Sequence, residues 1–165
     1  KDSKVTGLDI SEKMLDVGRQ KVADRNLNDK VVLISGDAEN LNFSKNSFDL
    51  ISIGFGVRNF QNLEKGISES FRVLRNGGTL IILETSVPQN RFIKFFYLLF
   101  SRTFIPLVGS VFSKDKKAYK YLQKSAEEFP SGKKFGQILK SCGFNSVEIL
   151  PLMLGASSIY IAKKN

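Results

Sequence analysis

What most constrains this chain is a set of short, continuously apolar runs separated by stretches with helical spacing. Val5–Asp9, Val31–Ser35, Phe48–Ile53 and Thr79–Leu83 each read as a strand. A strand that is apolar along its whole length is buried on both faces, which points to parallel sheet. Between the strands, Ser11 is expected to cap a helix over 12–25, with Met14, Leu15, Gly18 and Val22 on one face. Leu63, Ile67, Phe71 and Leu74 recur at spacings of four, four and three, and Asn76-Gly77-Gly78 is expected to stop that helix. Strands alternating with helices predict an α/β fold, a mostly parallel sheet covered on both faces, with ligands at the carboxyl ends of the strands. Further on, Ser131 is expected to cap a helix that reaches Cys142 and ends at Gly143. Val147–Met153 and Ser157–Ala162 then predict a closing antiparallel pair.

A length of 165 residues suits a single domain, 1–165, within which 87–130 reads as an inserted flap. Histidine is absent, which excludes a histidine triad, a histidine general base and a histidine metal site. The single cysteine, Cys142, excludes an internal disulfide and a multi-thiolate zinc centre. Chemistry here has to run on carboxylates, tyrosines, lysines, backbone amides and a bound cofactor, and no metal is expected.

Charge divides the chain in two. Residues 1–88 hold 12 Lys/Arg and 12 Asp/Glu, whereas 89–165 hold 13 Lys/Arg against 4 Asp/Glu. Nine of the 14 phenylalanines share the basic half. Phe92, Phe95, Phe96, Tyr97, Phe100 and Phe104 crowd one segment, followed by a lysine-rich stretch, Lys114–Lys124, that encloses Tyr119 and Tyr121. Lys94, Arg102 and Pro106 interrupt the apolar run, and the longest uncharged piece, between Arg102 and Lys114, is 11 residues. A membrane-spanning helix needs roughly 20. The pattern therefore suggests a mobile interfacial flap over 92–112 and an anionic membrane surface as partner. Nucleic acid is disfavoured, because the aromatics form one run and are not interleaved on a strand platform.

Two acids stand at strand ends. Asp9 closes the first strand, where a carboxylate can accept both hydroxyls of an adenosine ribose or simply cap the next helix. Asp37 follows the next strand as Gly36-Asp37-Ala38, where it can accept the adenine amino hydrogen or form a turn. With a third strand ending in Gly54-Phe55-Gly56, the pair favours an adenosine-type ligand. Spacing alone does not separate a nicotinamide from a methyl donor.

Motifs now carry a resemblance. Val5-Thr-Gly-Leu-Asp-Ile-Ser11, Gly36-Asp-Ala-Glu-Asn-Leu-Asn-Phe43, Asn46-Ser-Phe-Asp49 and Arg72-Val-Leu-Arg-Asn-Gly-Gly78 resemble class I S-adenosylmethionine-dependent methyltransferases. Phe55-Gly-Val-Arg-Asn-Phe60, and Lys117-Ala-Tyr-Lys-Tyr-Leu122 followed by Glu128-Phe-Pro130, resemble the ubiquinone/menaquinone biosynthesis C-methyltransferases. The resemblance implies S-adenosylmethionine as cofactor, with Asp9 and Ile10 at the ribose, Asp37 and Ala38 at the adenine, and Gly54 walling the methionine moiety. It implies a lipophilic polyprenyl quinol as substrate, the naphthoquinol demethylmenaquinol preferred over a benzoquinol. Arg58 and Asn59 then take the catalytic positions, and Phe55, Tyr119 and Tyr121 border the ring. Gly54 departs from the serine that relatives often carry.

The family's first strand, its glycine loop and the following helix have no counterpart in residues 1–165. The chain is thus expected to be partial and, by itself, to bind cofactor weakly or not at all. Further expectations are a cytoplasmic enzyme, peripheral at the inner face of the membrane, with a homodimer as the oligomer. The rival reading is a non-catalytic membrane-docking partner subunit with a degenerate methyltransferase fold.

Overall fold

The four apolar runs form parallel strands, but in two separate sheets. A computed structural model describes residues 3–112 and 116–165, and their side chains apart from those of 102 and 104–120. The order is β1 (Val5–Asp9), α1 (Glu12–Asp24), β2 (Val31–Ser35), β3 (Phe48–Gly54), a 3-10 turn (Val57–Asn59), α2 (Leu63–Val73) and β4 (Leu74–Thr85). There follow α3 (Arg91–Phe112), α4 (Lys116–Glu128), α5 (Lys133–Ser141), β5 (Ser146–Leu152), a second 3-10 turn (Met153–Gly155) and β6 (Ser157–Lys163). One sheet is the parallel pair β1–β2, and the other has the order β3-β4-β6-β5, parallel between β3 and β4 and antiparallel thereafter. Among the described residues, β1 and β3 each keep one edge without a strand partner.

The core lies on the four-stranded sheet. Ile67 from α2, Leu80 and Ile82 from β4, Phe135 and Leu139 from α5, Phe144 and Tyr160 are all buried there. The Phe135 ring stands edge-on to Tyr160 at 4.8 Å between centroids, a favoured aromatic geometry. The two-stranded sheet is less well covered, contrary to the expectation of burial on both faces: Val5, Val32 and, on β3, Leu50 are exposed. Met14, expected on the inward face of α1, is 60% exposed, and Leu15 is that helix's buried residue.

Three local expectations are corrected. Asn76-Gly77-Gly78 does not stop α2; the helix ends at Val73, and the three residues lie inside β4 as an irregularity, pairing passing from Phe48↔Leu74 to Leu50↔Thr79. The C-terminal segment makes this possible, since Gly77 (φ +78) donates its N–H to the Lys164 carbonyl at 2.7 Å. Ser131 does not cap α5; Gly132 does, at φ +67, while the Ser131 hydroxyl accepts from the Val87 N–H at 3.2 Å. The Ser11 hydroxyl likewise makes no cap bond, although Ser11 occupies the N-cap position of α1.

Lys164, whose sequence position suggests a solvated tail, is buried. Its ammonium donates to the carbonyls of Phe71 and Leu74 and to Asn46 Oδ1, and sits 4.5 Å from the Phe71 ring centroid. It thereby supplies partners to carbonyls at the end of α2, where intrahelical donors run out. Desolvation pulls its pKa below the ordinary lysine value.

Helix α3 continues through Pro106 for 22 residues. Among the described residues no helix is long and apolar enough to cross a membrane. Ile93, Tyr97 and Leu98 are partly buried and Ser101 is buried, whereas Phe92, Phe95, Phe96, Leu99 and Phe100 are exposed, the first two at 73% and 63%. Over 91–103 the described water-facing side thus presents five large apolar side chains beside Arg91 and Lys94.

Candidate functional site at the carboxyl strand ends

Asp9 ends β1 and Asp37 lies two residues beyond the end of the neighbouring β2. In the β1–β2 register Asp9 pairs with Ser35, and the Gly36 N–H donates to the Asp9 carbonyl at 3.1 Å. Each carboxylate is fixed by a local bond, Asp9 Oδ1 accepting from the Ser11 N–H and Asp37 Oδ1 from the Glu39 N–H, both at 2.8 Å. Among the described residues their Oδ2 atoms accept from no donor. Ile10 beside them is exposed and Ala38 is partly buried. A Cβ added at Gly54, on the end of β3, would meet no atom within 4 Å.

A second cluster stands on the ends of β3 and β4. Phe55, at φ +54, follows Gly54 directly and its N–H donates to the Leu83 carbonyl at 2.8 Å. Left-handed backbone is uncommon outside glycine and gathers at functional turns. The next turn carries Arg58, whose Nη1 donates to Glu84 Oε1 at 2.6 Å and to the Phe55 carbonyl at 2.8 Å. The guanidinium also stands 5.9 Å from the Phe55 ring centroid. Side-chain exposure in the pair is 12% for Arg58 and 0% for Glu84. Burying a carboxylate this fully demands several donors. Glu84 has them: Oε1 also accepts from the Thr85 N–H at 2.7 Å and hydroxyl at 3.1 Å, and Oε2 from the Arg58 N–H at 3.2 Å. Arg58 Nε is buried without a partner among the described residues. An unspent buried donor costs about 1–3 kcal/mol, which a ligand oxygen or a water would recover.

Asn59 accepts from the Tyr121 hydroxyl at 3.0 Å through Oδ1, bringing α4 over the turn. Between them lies a cleft of about 340 Å³ bordered by Arg58, Phe60, Tyr121, Lys124 and Phe129. The Tyr119 side chain lies outside the described residues. Tyr160 sits behind this cluster; burial raises its phenol pKa, and its oxygen accepts from the Gly132 N–H at 2.6 Å. Among the described residues no group of His, Cys, Asp or Glu could hold a metal ion.

The two clusters are joined by Glu39, which sequence reasoning passed over. Its carboxylate accepts from the N–H groups of Gln61 at 2.6 Å and Asn62 at 3.1 Å, fastening the Asp37 loop to the start of α2. A carboxylate there also meets the positive end of the helix dipole. Further along the loop, Arg72 donates to the carbonyls of Leu41 and Phe43 and to Glu69, and Glu69 accepts from the Leu41 N–H.

Comparison with solved structures identifies this as the α/β architecture of methyltransferases. The chain superposes on a methyltransferase from Aquifex aeolicus described as SAM-dependent with a TM-score of 0.66, at 18% identity, covering 96% of this chain and 68% of that one. It superposes on the CMeT domain of citrinin polyketide synthase with a TM-score of 0.64, at 17% identity, covering 98% and 40%. Such identities speak for the fold alone. In sequence, the profile of the ubiE/COQ5 methyltransferase family matches residues 1–164, and the chain belongs to that family. It is 40% identical over 158 residues to the demethylmenaquinone methyltransferase of Bacteroides fragilis, and 39% identical over 162 residues to that of Chlorobaculum tepidum. These alignments cover 96% and 98% of this chain but 64% of each relative's length.

Proposed function

We propose that this chain holds the cofactor and acceptor sites of a demethylmenaquinone methyltransferase, which moves a methyl group from S-adenosylmethionine to a ring carbon of a polyprenyl naphthoquinol. The observation that carries the reading is the family match over 1–164, together with Asp9, Asp37, Gly54 and Arg58 standing at or just beyond carboxyl ends of parallel strands. Bound S-adenosylmethionine supplies an electrophilic sulfonium methyl group.

The residues present fit that group. Asp9, with one oxygen anchored and one unspent, takes the ribose hydroxyls beside Ile10. Asp37 and the Ala38 amide take the adenine, and the open space at Gly54 leaves room for the methionine chain. On the acceptor side, Arg58 holds the quinol oxygen as its anion and does not take its proton, because guanidinium is a poor base. Asn59, Phe55 and Tyr121 orient the ring, and the family resemblance adds Tyr119 to them. A strand between the free edges of β1 and β3 would complete the site and satisfy backbone groups now open to water. The test is calorimetric titration with S-adenosylhomocysteine, on this chain and on a version extended upstream. Binding by the extended form, lost in Asp9→Ala, is expected; no binding by either would overturn the reading.

The exposed aromatic face of α3 serves delivery of the substrate. Residues 91–124 hold eight Lys/Arg and one acid, and the tip of the β5–β6 hairpin adds Met153 and Leu154, 81% and 79% exposed. Gly155 packs on Pro88, the approach to α3, so both apolar features share one region. An anionic membrane surface fits them, each basic residue there being worth about 1 kcal/mol. Co-flotation with phosphatidylglycerol vesicles, weakened in Phe92→Ser/Phe95→Ser, is the expected result; equal flotation of both proteins would refute the docking.

A further inference from the structure

The Arg58–Glu84 pair raises an electrostatic question that the cofactor makes sharp. A sulfonium carries a full positive charge, and Arg58, on the 3-10 turn that follows β3, carries another. Leu83, the residue before Glu84, pairs directly with Gly54 across β3 and β4, so the carboxylate sits one strand from the wall of the cofactor site. Two like charges in a site sheltered from water repel each other. Glu84 is the only acid contacting Arg58 among the described residues, at 2.6 Å and with no solvent exposure. Four donor contacts, from Arg58 Nη1, the Arg58 N–H, and the N–H and hydroxyl of Thr85, converge on it.

Resting on the function proposed above, we infer that Glu84 is a charge-compensating positioning residue: it fixes Arg58 and cancels its field, so that a sulfonium can bind beside a guanidinium. Arg58 is thereby a directed hydrogen-bond donor for the acceptor oxygen without being a repulsive charge to the donor. The inference separates two ligands that differ in the charge on one atom. S-adenosylmethionine has a positive sulfur and S-adenosylhomocysteine a neutral one, while the adenosine and amino-acid ends are the same.

The experiment measures the dissociation constants of both ligands by calorimetry on the complete protein. In Glu84→Gln the site gains one net positive charge, and the ratio of the S-adenosylmethionine to the S-adenosylhomocysteine constant is expected to rise roughly three- to tenfold. A role confined to holding the fold would weaken both ligands alike and leave the ratio unchanged, which would overturn the inference. Arg58→Gln supplies an independent arm should Glu84→Gln fold poorly. It leaves the carboxylate its two Thr85 donors and the backbone N–H of residue 58, so the ratio is expected to fall below that of the unaltered protein. A ratio unmoved in Arg58→Gln would likewise overturn it. Failure of the unaltered protein to bind either ligand would overturn the functional reading and this inference together, whereas normal binding with a fixed ratio would remove this inference alone.

Discussion

Tyr121 donates its hydroxyl hydrogen to Asn59 Oδ1 at 3.0 Å, so a helix 62 residues further along the chain is fastened to the turn that carries Arg58. Tyr121 and the neighbouring Arg58 both border the cleft. Removal of the bond in Tyr121→Phe leaves the ring and deletes about 0.5–1.5 kcal/mol of hydrogen bonding. Acceptor kcat/KM is expected to fall roughly three- to tenfold, in line with that loss, while S-adenosylhomocysteine affinity stays constant. Steady-state kinetics beside calorimetry check it.

Glu69 ties α2 to the loop behind Asp37, and its hydrogen bond to Arg72 is the main cause holding its carboxyl below its ordinary value of 4.5, with the Leu41 N–H adding to it. A lowered folded-state pKa means that the contribution to stability is present above 4.5 and is lost as pH falls through the lowered value. Glu69→Gln is expected to lower Tm at pH 7 and to show a flatter decline of Tm on acidification below 4.5. Thermal scans across that window decide it.

Gly66 lets α2 pass against Phe60, since an added Cβ would lie 2.4 Å from two atoms of that ring. Gly66→Ala is therefore expected to destabilise the fold by about 1–3 kcal/mol, as overpacked cores do. Gly143→Ala adds a backbone problem to a steric one, with φ at +108 and Phe71 at 2.9 Å from the new carbon. It is expected to cost at least as much in chemical denaturation.

Lys164→Met removes the donor shared by Phe71, Leu74 and Asn46. Leaving buried acceptors unpaired costs about 1–3 kcal/mol, only partly offset by the lysine desolvation that is relieved. The variant is expected to lower the denaturation midpoint with no change in the ratio of ligand affinities, which distinguishes it from substitutions at the site.

The parallel strands, the acid that ends β1 and the acid just beyond β2 were legible because an apolar run announces both its own burial and the point where the chain leaves the sheet. Glu84 lay in the same kind of position. It escaped notice because β4 extends two residues beyond the apolar run ending at Leu83, so the acid looked like part of a loop. Glu39 gives no such signal: a carboxylate in a turn does not announce that it binds amides 22 and 23 residues away. Lys164 is of the same kind, since only the folded chain brings its ammonium to carbonyls 93 and 90 positions earlier. The Asn76-Gly77-Gly78 stop was misread because the backbone partner that accommodates it inside a strand comes from the far end of the sequence. Short-range pattern thus located the strand ends, while long-range hydrogen bonding decided which residues hold them together.

Among the described residues β1 and β3 each present one edge whose backbone groups have no strand partner, and such an edge is a template for extended chain. An open ladder does not distinguish a segment of its own polypeptide from one donated by another copy, and the exposed Leu50 and Val5 add an apolar reward to any strand that enters. Concentration then governs which donor wins. A short synthetic strand supplied in trans is expected to compete with self-association, so that peptide binding and resistance to aggregation report on the same backbone groups.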